Sequence, residues 1–374
     1  MTAIKIPLVD LHAQYLSIKD AIDAGMRRIV DGGAFIGGAC VREFEEAYAA
    51  DYGVGHCVSV ANGTDAIYIT LQMLGVGPGD EVITSAHSWI STSETISQAG
   101  ARPVFVDVDS YYTINAELIE AAITPHTRAI IPVHLYGQPA DMTRILAIAA
   151  KHDLLVIEDC AQAHYAVWRG QRVGTFGAAA TFSFYPGKNL GAYGDAGAIV
   201  TNDAQLASRM RMYANHGSLR KHEHRMEGIN SRLDALQAAI LSAKLPHIHD
   251  WTRARQQVAS WYDEALRGIA GVQIPRVRES AMHVWHLYVV QVEDRDAVAA
   301  RLAARGIQTG VHYPVPLPLL QAYSRLNARP EQFPVAARNA ARILSLPIYP
   351  ELTRQQVEFV ADSLSVATRA ADRP

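Results

Sequence analysis

HCVSVANGTDAIYITLQMLGVGPGDEVITSA (residues 56–86) decides the fold. HCVSVA (56–61) is a short, β-branched, apolar run and reads as a strand. TDAIYITLQML (64–74) follows as a helix, and EVITSA (81–86) returns as a second strand. The pattern continues downstream. Strands are expected at 103–108, 128–134 and 154–159, with helices near 89–99, 116–123 and 141–152 between them. The strands are nearly all apolar, as in a sheet covered on both faces. Strand–helix alternation implies right-handed crossovers and a mainly parallel sheet, so the class is α/β.

The pattern changes after about residue 240. Helices are expected over 234–245 and from Asp250 to Gly268, a strand over 285–292, and helices over 295–306 and 358–367. An amphipathic helix carrying Tyr15, Ile18, Ile22, Met26 and Ile29 opens the chain. At 374 residues the chain is long for one core, and two domains are expected: a large one over 1–248 and a smaller α+β one over 249–374.

Composition excludes several classes. With 49% hydrophobic and 19% charged residues the chain is globular rather than disordered. A net charge of −3 offers no basic footprint for nucleic acid. Cys40, Cys57 and Cys160 form no CxxC pair, which fits a reducing compartment. The opening MTAIKIPLVDLHAQY lacks a signal-peptide run, and no stretch approaches a membrane span. A soluble cytoplasmic protein without a membrane partner is expected. Two histidine pairs, His222 with His224 and His247 with His249, lack an obvious third ligand and read as loop or helix-face residues; no metal is expected.

The chemistry gathers at the strand ends. Gly63 and Thr64 open a helix directly after a strand, where backbone N–H groups can face an anion. Trp89 offers an aromatic face, and Glu158 and Asp159 close the most apolar strand. FSFYPGKNLGAYGDAG (182–197) sets Lys188 among glycines, with Ser183 five residues before it. Its spacing matches neither GxxxxGK[ST] nor GxGxxG, so the P-loop and Rossmann readings fail. An aromatic ring, a phosphate, a basic ring nitrogen and an aldehyde would together use these groups, and pyridoxal 5'-phosphate has all four.

The blocks NGTDA, GVGPGDEVI, VIEDCAQAH, SFYPGKNLGAYGDAGAIVTND and NSRLDALQAAIL, in this order, resemble the DegT/DnrJ/StrS family of nucleotide-sugar aminotransferases. That resemblance implies a fold-type-I architecture with pyridoxal phosphate in the large domain. It implies that Lys188 forms the Schiff base, Asp159 pairs with the pyridine nitrogen, Gln162 meets the ring hydroxyl and Trp89 stacks on the ring. Gly63, Thr64 and Ser183 would hold the phosphate, and Asn230 would reach the phosphate of a neighbouring subunit in a homodimer with shared active sites. Dehydratases of the family carry histidine in place of the lysine, so Lys188 favours transamination. The implied substrates are a nucleotide-linked keto-sugar and L-glutamate. TGVHYPVPLPLLQAY (309–323) resembles the subgroup acting on 3-keto sugars, which places Tyr185, Arg220 and His312 near the hexose or its diphosphate. The reading is amination at C-3 of a dTDP-linked 3-keto-6-deoxyhexose. Amination of a 4-keto sugar or a UDP-3-keto uronic acid, a dehydratase, and a non-catalytic regulatory protein stand as alternatives. The polar stretch 216–228 reads as a mobile loop whose Arg220, Lys221 and Arg225 meet a diphosphate.

Overall fold

The computed structural model describes residues 5–369. Seven strands form its main sheet: β1 (His56–Val60), β2 (Glu81–Ser85), β3 (Arg102–Val106), β4 (Thr127–Ile131), β5 (Leu155–Asp159), β6 (Ala179–Ser183) and β7 (Gly197–Thr201). Their order is β1-β7-β6-β5-β4-β2-β3. Only β7 runs against its neighbours, pairing antiparallel with β6 and with β1. The α/β class and the mainly parallel sheet agree with the sequence reading.

The apolar strands are explained by what lies on each face. Ile83, Ile130 and Val156 enter one hydrophobic cluster, while Val82, Ala129, Ile131 and Ile157 enter another. Consecutive residues of a strand point to opposite faces, so a doubly covered strand must be apolar at nearly every position. Helices supply both layers. Gly38–Tyr52 brings Phe44, Tyr48 and Tyr52 into the first cluster, and Gly63–Met73 brings Ile67 and Leu71 into the second.

A smaller antiparallel sheet joins β8 (Val272–Gln273), β9 (Tyr288–Val292) and β10 (Ile343–Leu346) in that order. It packs with Val258, Tyr262, Val298 and Leu364, and with Ile6 from the chain start, in a separate cluster. One helix, Ile248–Leu266, serves both units: Ile248 and Trp251 belong to the first cluster, Val258 and Tyr262 to the cluster around β9.

Several elements differ from expectation. The opening helix is broken at Ile18 into Leu11–Ser17 and Lys19–Gly32. The strand expected from 285 begins at Tyr288, because Trp285 takes a positive φ of 50°. The stretch 216–228, expected as a loop, holds a short hairpin of Ser218–Arg220 against Glu223–His224. Strands β6 and β7 and the helix Gly38–Tyr52 carry no clear apolar period and are visible only in the structure.

Gly197 is required by contact rather than by φ. A Cβ there would lie 2.4 Å from the Asn62 carbonyl oxygen. Gly197→Ala should therefore cost about 1–3 kcal/mol through overpacking. Gly32→Ala, where a Cβ meets nothing within 4 Å, is the control and should be neutral or slightly stabilising. Equilibrium denaturation of both variants measures the contrast.

Candidate active site

Asp159 ends β5 and is buried. Its Oδ2 accepts from the Thr92 hydroxyl at 2.8 Å and its Oδ1 from the Ala161 N–H at 3.1 Å. Burial pushes its pKa up, while Thr92, the Ala161 N–H, Lys188 and His134 oppose that shift. It makes no ion pair among the described residues, so this carboxylate gains from a cationic N–H brought into the cavity.

The adjacent Glu158 has a different fate. It accepts from the N–H groups of Gly174 (2.7 Å), Phe176 (2.8 Å) and Gly177 (2.9 Å). His134 takes the Ala140 N–H on Nδ1 at 3.0 Å, so its Nε2 carries the proton and donates to Glu158 at 3.2 Å. His134, Glu158 and Cys160 lie close enough to suggest metal ligands. The imidazole lone pair and the carboxylate are already engaged, so the group is a structural brace. Three of the four histidines noted in the sequence have other occupations: His249 bonds Asp51, His247 stacks on Trp251, and His224 meets the His216 carbonyl.

Lys188 sits in the connection from β6 to β7, which starts and ends at the paired residues Ser183 and Gly197. The loop folds back on itself: the Lys188 N–H donates to the Tyr185 carbonyl at 2.8 Å, and Gly191 approaches Pro186 so closely that a Cβ would lie 2.3 Å from its oxygen. The helix Ala235–Lys244 clamps the far side. Gln237 accepts from the Tyr193 N–H at 2.8 Å, and the buried Lys244 donates to the Gly191 carbonyl at 2.7 Å. Burial lowers the Lys188 pKa to about 8, and the charge of Asp159 acts against that shift.

The helix Gly63–Met73 begins beside this loop, capped by Asn62, which accepts from the Asp65 N–H at 2.8 Å. The N–H groups of Gly63 and Thr64 precede the first helical hydrogen bond and have no acceptor among the described residues. A Cβ on Gly63 would meet the Ser183 Cβ at 2.7 Å, so only glycine allows these two segments to touch. The result is an anion cradle of two free N–H groups with the Thr64 and Ser183 hydroxyls.

These parts line one cavity of 560 Å³. Of the residues singled out in the sequence, it holds Gly63, Thr64, Asp159, Ser183 and Lys188 at its base. Trp89 and Tyr185 stand at its mouth, 56% and 60% exposed. Gln162 lines it too, accepting from the Tyr136 N–H at 2.7 Å and donating to the Tyr313 hydroxyl at 3.1 Å. His312 completes the set, its Nδ1 2.8 Å from Ser345 Oγ. Arg220 and Asn230 are not brought into it. Arg220 lies in the exposed hairpin near Glu223 and Arg225, and Asn230 is exposed, its backbone bridged to Asn215.

Sequence reasoning missed Thr92, Arg255, His286 and Tyr313, all of which line the cavity. Tyr313 had a signal in its adjacency to His312, and its ring lies 5.4 Å from that of Trp89. Thr92 lies three residues after Trp89 in the helix Ser91–Gln98, while Arg255 and His286 lie far from the motif blocks. The base of the cavity suits pyridoxal phosphate: an anion cradle, an amine of lowered pKa and a buried carboxylate seeking a cation, under an aromatic face.

A family model described as the DegT/DnrJ/EryC1/StrS aminotransferase family matches residues 16–365. The chain is 44% identical over 362 residues to the dTDP-3-amino-3,4,6-trideoxy-alpha-D-glucose transaminase of Streptomyces venezuelae, covering 96% of this chain and 95% of that one. It is also 44% identical over 361 residues to the UDP-2-acetamido-2-deoxy-3-oxo-D-glucuronate aminotransferase of Pseudomonas aeruginosa, covering 96% and 99%. The crystal structure of S. venezuelae DesV in complex with a ketimine intermediate superposes with a TM-score of 0.95, at 43% identity, covering 99% of each chain.

The lowered pKa of Lys188 is measurable without substrate. In the cofactor-free protein its acylation by a small anhydride, followed by mass spectrometry across pH, should show a midpoint near about 8, well below that of exposed lysines. Asp159→Asn removes the charge that favours the ammonium, so the midpoint should fall further. A Lys188 that titrates with the surface lysines would contradict the burial account.

Proposed function

The chain belongs to the DegT/DnrJ/EryC1/StrS aminotransferase family, and on that premise we propose that it transfers an amino group from L-glutamate to the C-3 keto group of a nucleotide-linked 3-keto-6-deoxyhexose, with dTDP as the carrier. It is a pyridoxal-phosphate-dependent transaminase. The observation that carries the reading is the meeting of Lys188, Asp159 and the Gly63–Thr64 cradle in one cavity. The 3-keto assignment is supported by the Streptomyces venezuelae relative, whose name specifies a 3-amino sugar on dTDP. A UDP-linked 3-keto uronic acid is the second reading, supported by the equally similar Pseudomonas aeruginosa enzyme.

When bound, pyridoxal phosphate supplies an electron sink that makes the Cα–H of an amino donor acidic. Gly63, Thr64 and Ser183 would hold the phosphate, and Asp159 would hold the proton on the ring nitrogen. Thr92 and the Ala161 N–H keep Asp159 oriented for that role. Trp89 would cover the ring, and Gln162 would meet its hydroxyl by exchanging its bond to Tyr313. Lys188 Nζ carries protons to and from the carbon centres, and a pKa of about 8 lets it both take and give them near neutrality. Tyr185 and His312 also line the cavity and would meet the sugar there.

Arg220 and Asn230 are exposed and outside this cavity, which supports their serving the site of a second copy in a homodimer. Exposed Val30, Phe35 and Ile36 offer apolar surface for such a contact. Among the described residues no helix is long and apolar enough to cross a membrane. Three free buried cysteines accord with a cytoplasmic site of action. Retention of Lys188 and Asp159 in working geometry argues against a purely regulatory role or a dehydratase.

Two tests address this. Lys188→Ala should abolish turnover and remove the yellow colour of lysine-bound cofactor; a yellow, active variant would rule out the lysine assignment. A panel of dTDP-, UDP- and GDP-linked 3-keto and 4-keto sugars, assayed with L-glutamate and read by mass and NMR, should give a C-3 amino product from the dTDP 3-keto sugar. Product only from 4-keto sugars would sink the proposal, and product only from the UDP uronic acid would select the second reading.

A further inference from the structure

His286 lines the cavity that holds Lys188, yet no role has been given to it. Its surroundings define its protonation atom by atom. Asn189 Nδ2 donates to the Val284 carbonyl at 2.9 Å, which fixes the orientation of that amide. The Asn189 oxygen therefore faces His286 Nδ1 at 3.2 Å. An amide oxygen only accepts, so Nδ1 carries the imidazole proton and Nε2 keeps its lone pair. Nε2 has no hydrogen-bond partner among the described residues, and the half-buried side chain lines the cavity.

The backbone of His286 is fixed as well. The buried Arg255 reaches the carbonyls of Trp285 at 3.2 Å, His286 at 3.5 Å and Ile348 at 2.9 Å. Gly137 packs against the other side, where a Cβ would lie 3.1 Å from the His286 N–H nitrogen. Burial and the nearby Lys188, Arg255, His312 and His164 all disfavour a positive charge on His286. The ring is thus held neutral, with its acceptor exposed to the space around Lys188.

An amino group must arrive in that space, because the donor amine takes the place that the Lys188 amine leaves. An amine is rich in N–H donors and needs its lone pair aimed at the reacting carbon. We propose that His286 is a catalytic residue whose Nε2 accepts a hydrogen bond from the amino group being transferred and so aims its lone pair. Asn189, next to Lys188 in the chain, is the positioning residue that sets the tautomer. Only a neutral acceptor can do this, since an imidazolium would repel the incoming ammonium and offer only donors.

The structural part of the proposal can be read without turnover. In holoenzyme with ¹⁵N-labelled histidine, with the signal assigned by its loss in His286→Phe, His286 should be neutral and protonated on Nδ1 from pH 6 to 8. Adding L-glutamate should shift the Nε2 resonance upfield, as for a nitrogen that begins to accept a hydrogen bond. A proton on Nε2, or an Nε2 signal indifferent to the donor, overturns the proposal. In single-turnover bleaching with L-glutamate, His286→Phe should slow the donor half-reaction on the order of 100-fold at unchanged cofactor affinity. His286→Gln, which restores an acceptor, should recover part of that loss. His286→Phe bleaching at the wild-type rate also overturns it. The Nε2 shift and the kinetic arm both rest on glutamate as donor: a wild-type enzyme that glutamate does not bleach overturns that assignment, and the tautomer measured without donor then decides, a proton on Nε2 overturning the role of His286.

Discussion

The site depends on one backbone contact. The helix start at Asn62–Gly63 lies directly against the paired residues Ser183 and Gly197, with no room for a Cβ at Gly63 or Gly197. This contact sets the distance between the anion cradle and the root of the Lys188 loop. Both ends of that loop leave from the same strand pair, so the lysine is carried by the sheet itself rather than by a free loop. The clamps from Gln237 and Lys244 then fix the loop's far side. Precision of this kind comes from secondary structure packed to contact, which is why the reactive groups need few bonds to one another.

The carboxylates Glu158 and Asp159 show how one strand end separates structure from chemistry. They are consecutive and point to opposite faces of the sheet. Glu158 is saturated by backbone N–H groups and a neutral histidine, and it ties β5 to the turn around Gly174–Gly177. Asp159 keeps unfilled acceptor capacity toward the cavity. A sequence shows two acids; only the neighbours reveal that one is spent and the other available.

Much of this was legible from the chain. The parallel strands announced themselves as apolar runs, because both faces are covered. Gly63, Thr64, Asp159, Ser183 and Lys188 sit in contiguous motif blocks at strand ends, and they converge as their positions implied. Strands β6 and β7 were silent because AATFS and GAIVT are rich in small residues, of which Ser183 and Gly197 lie against the helix start. His286 and Arg255 were silent for another reason: their meaning lies in which atoms their partners occupy, and those partners are up to 97 residues away. Arg220 and Asn230 were named from resemblance, and the structure leaves both exposed and outside the cavity.

The helix Ile248–Leu266 runs through two hydrophobic clusters and carries Arg255 between them. That continuity ties the floor of the cavity to both halves of the molecule. Tyr185 and Trp89 stand at the rim, more than half exposed and outside the packing that builds the base. The architecture is therefore modular for inheritance: drift at the rim can retune which sugar is admitted while the amine-handling machinery is passed on unaltered. A lineage built on this scaffold can diversify its products at little cost in folding.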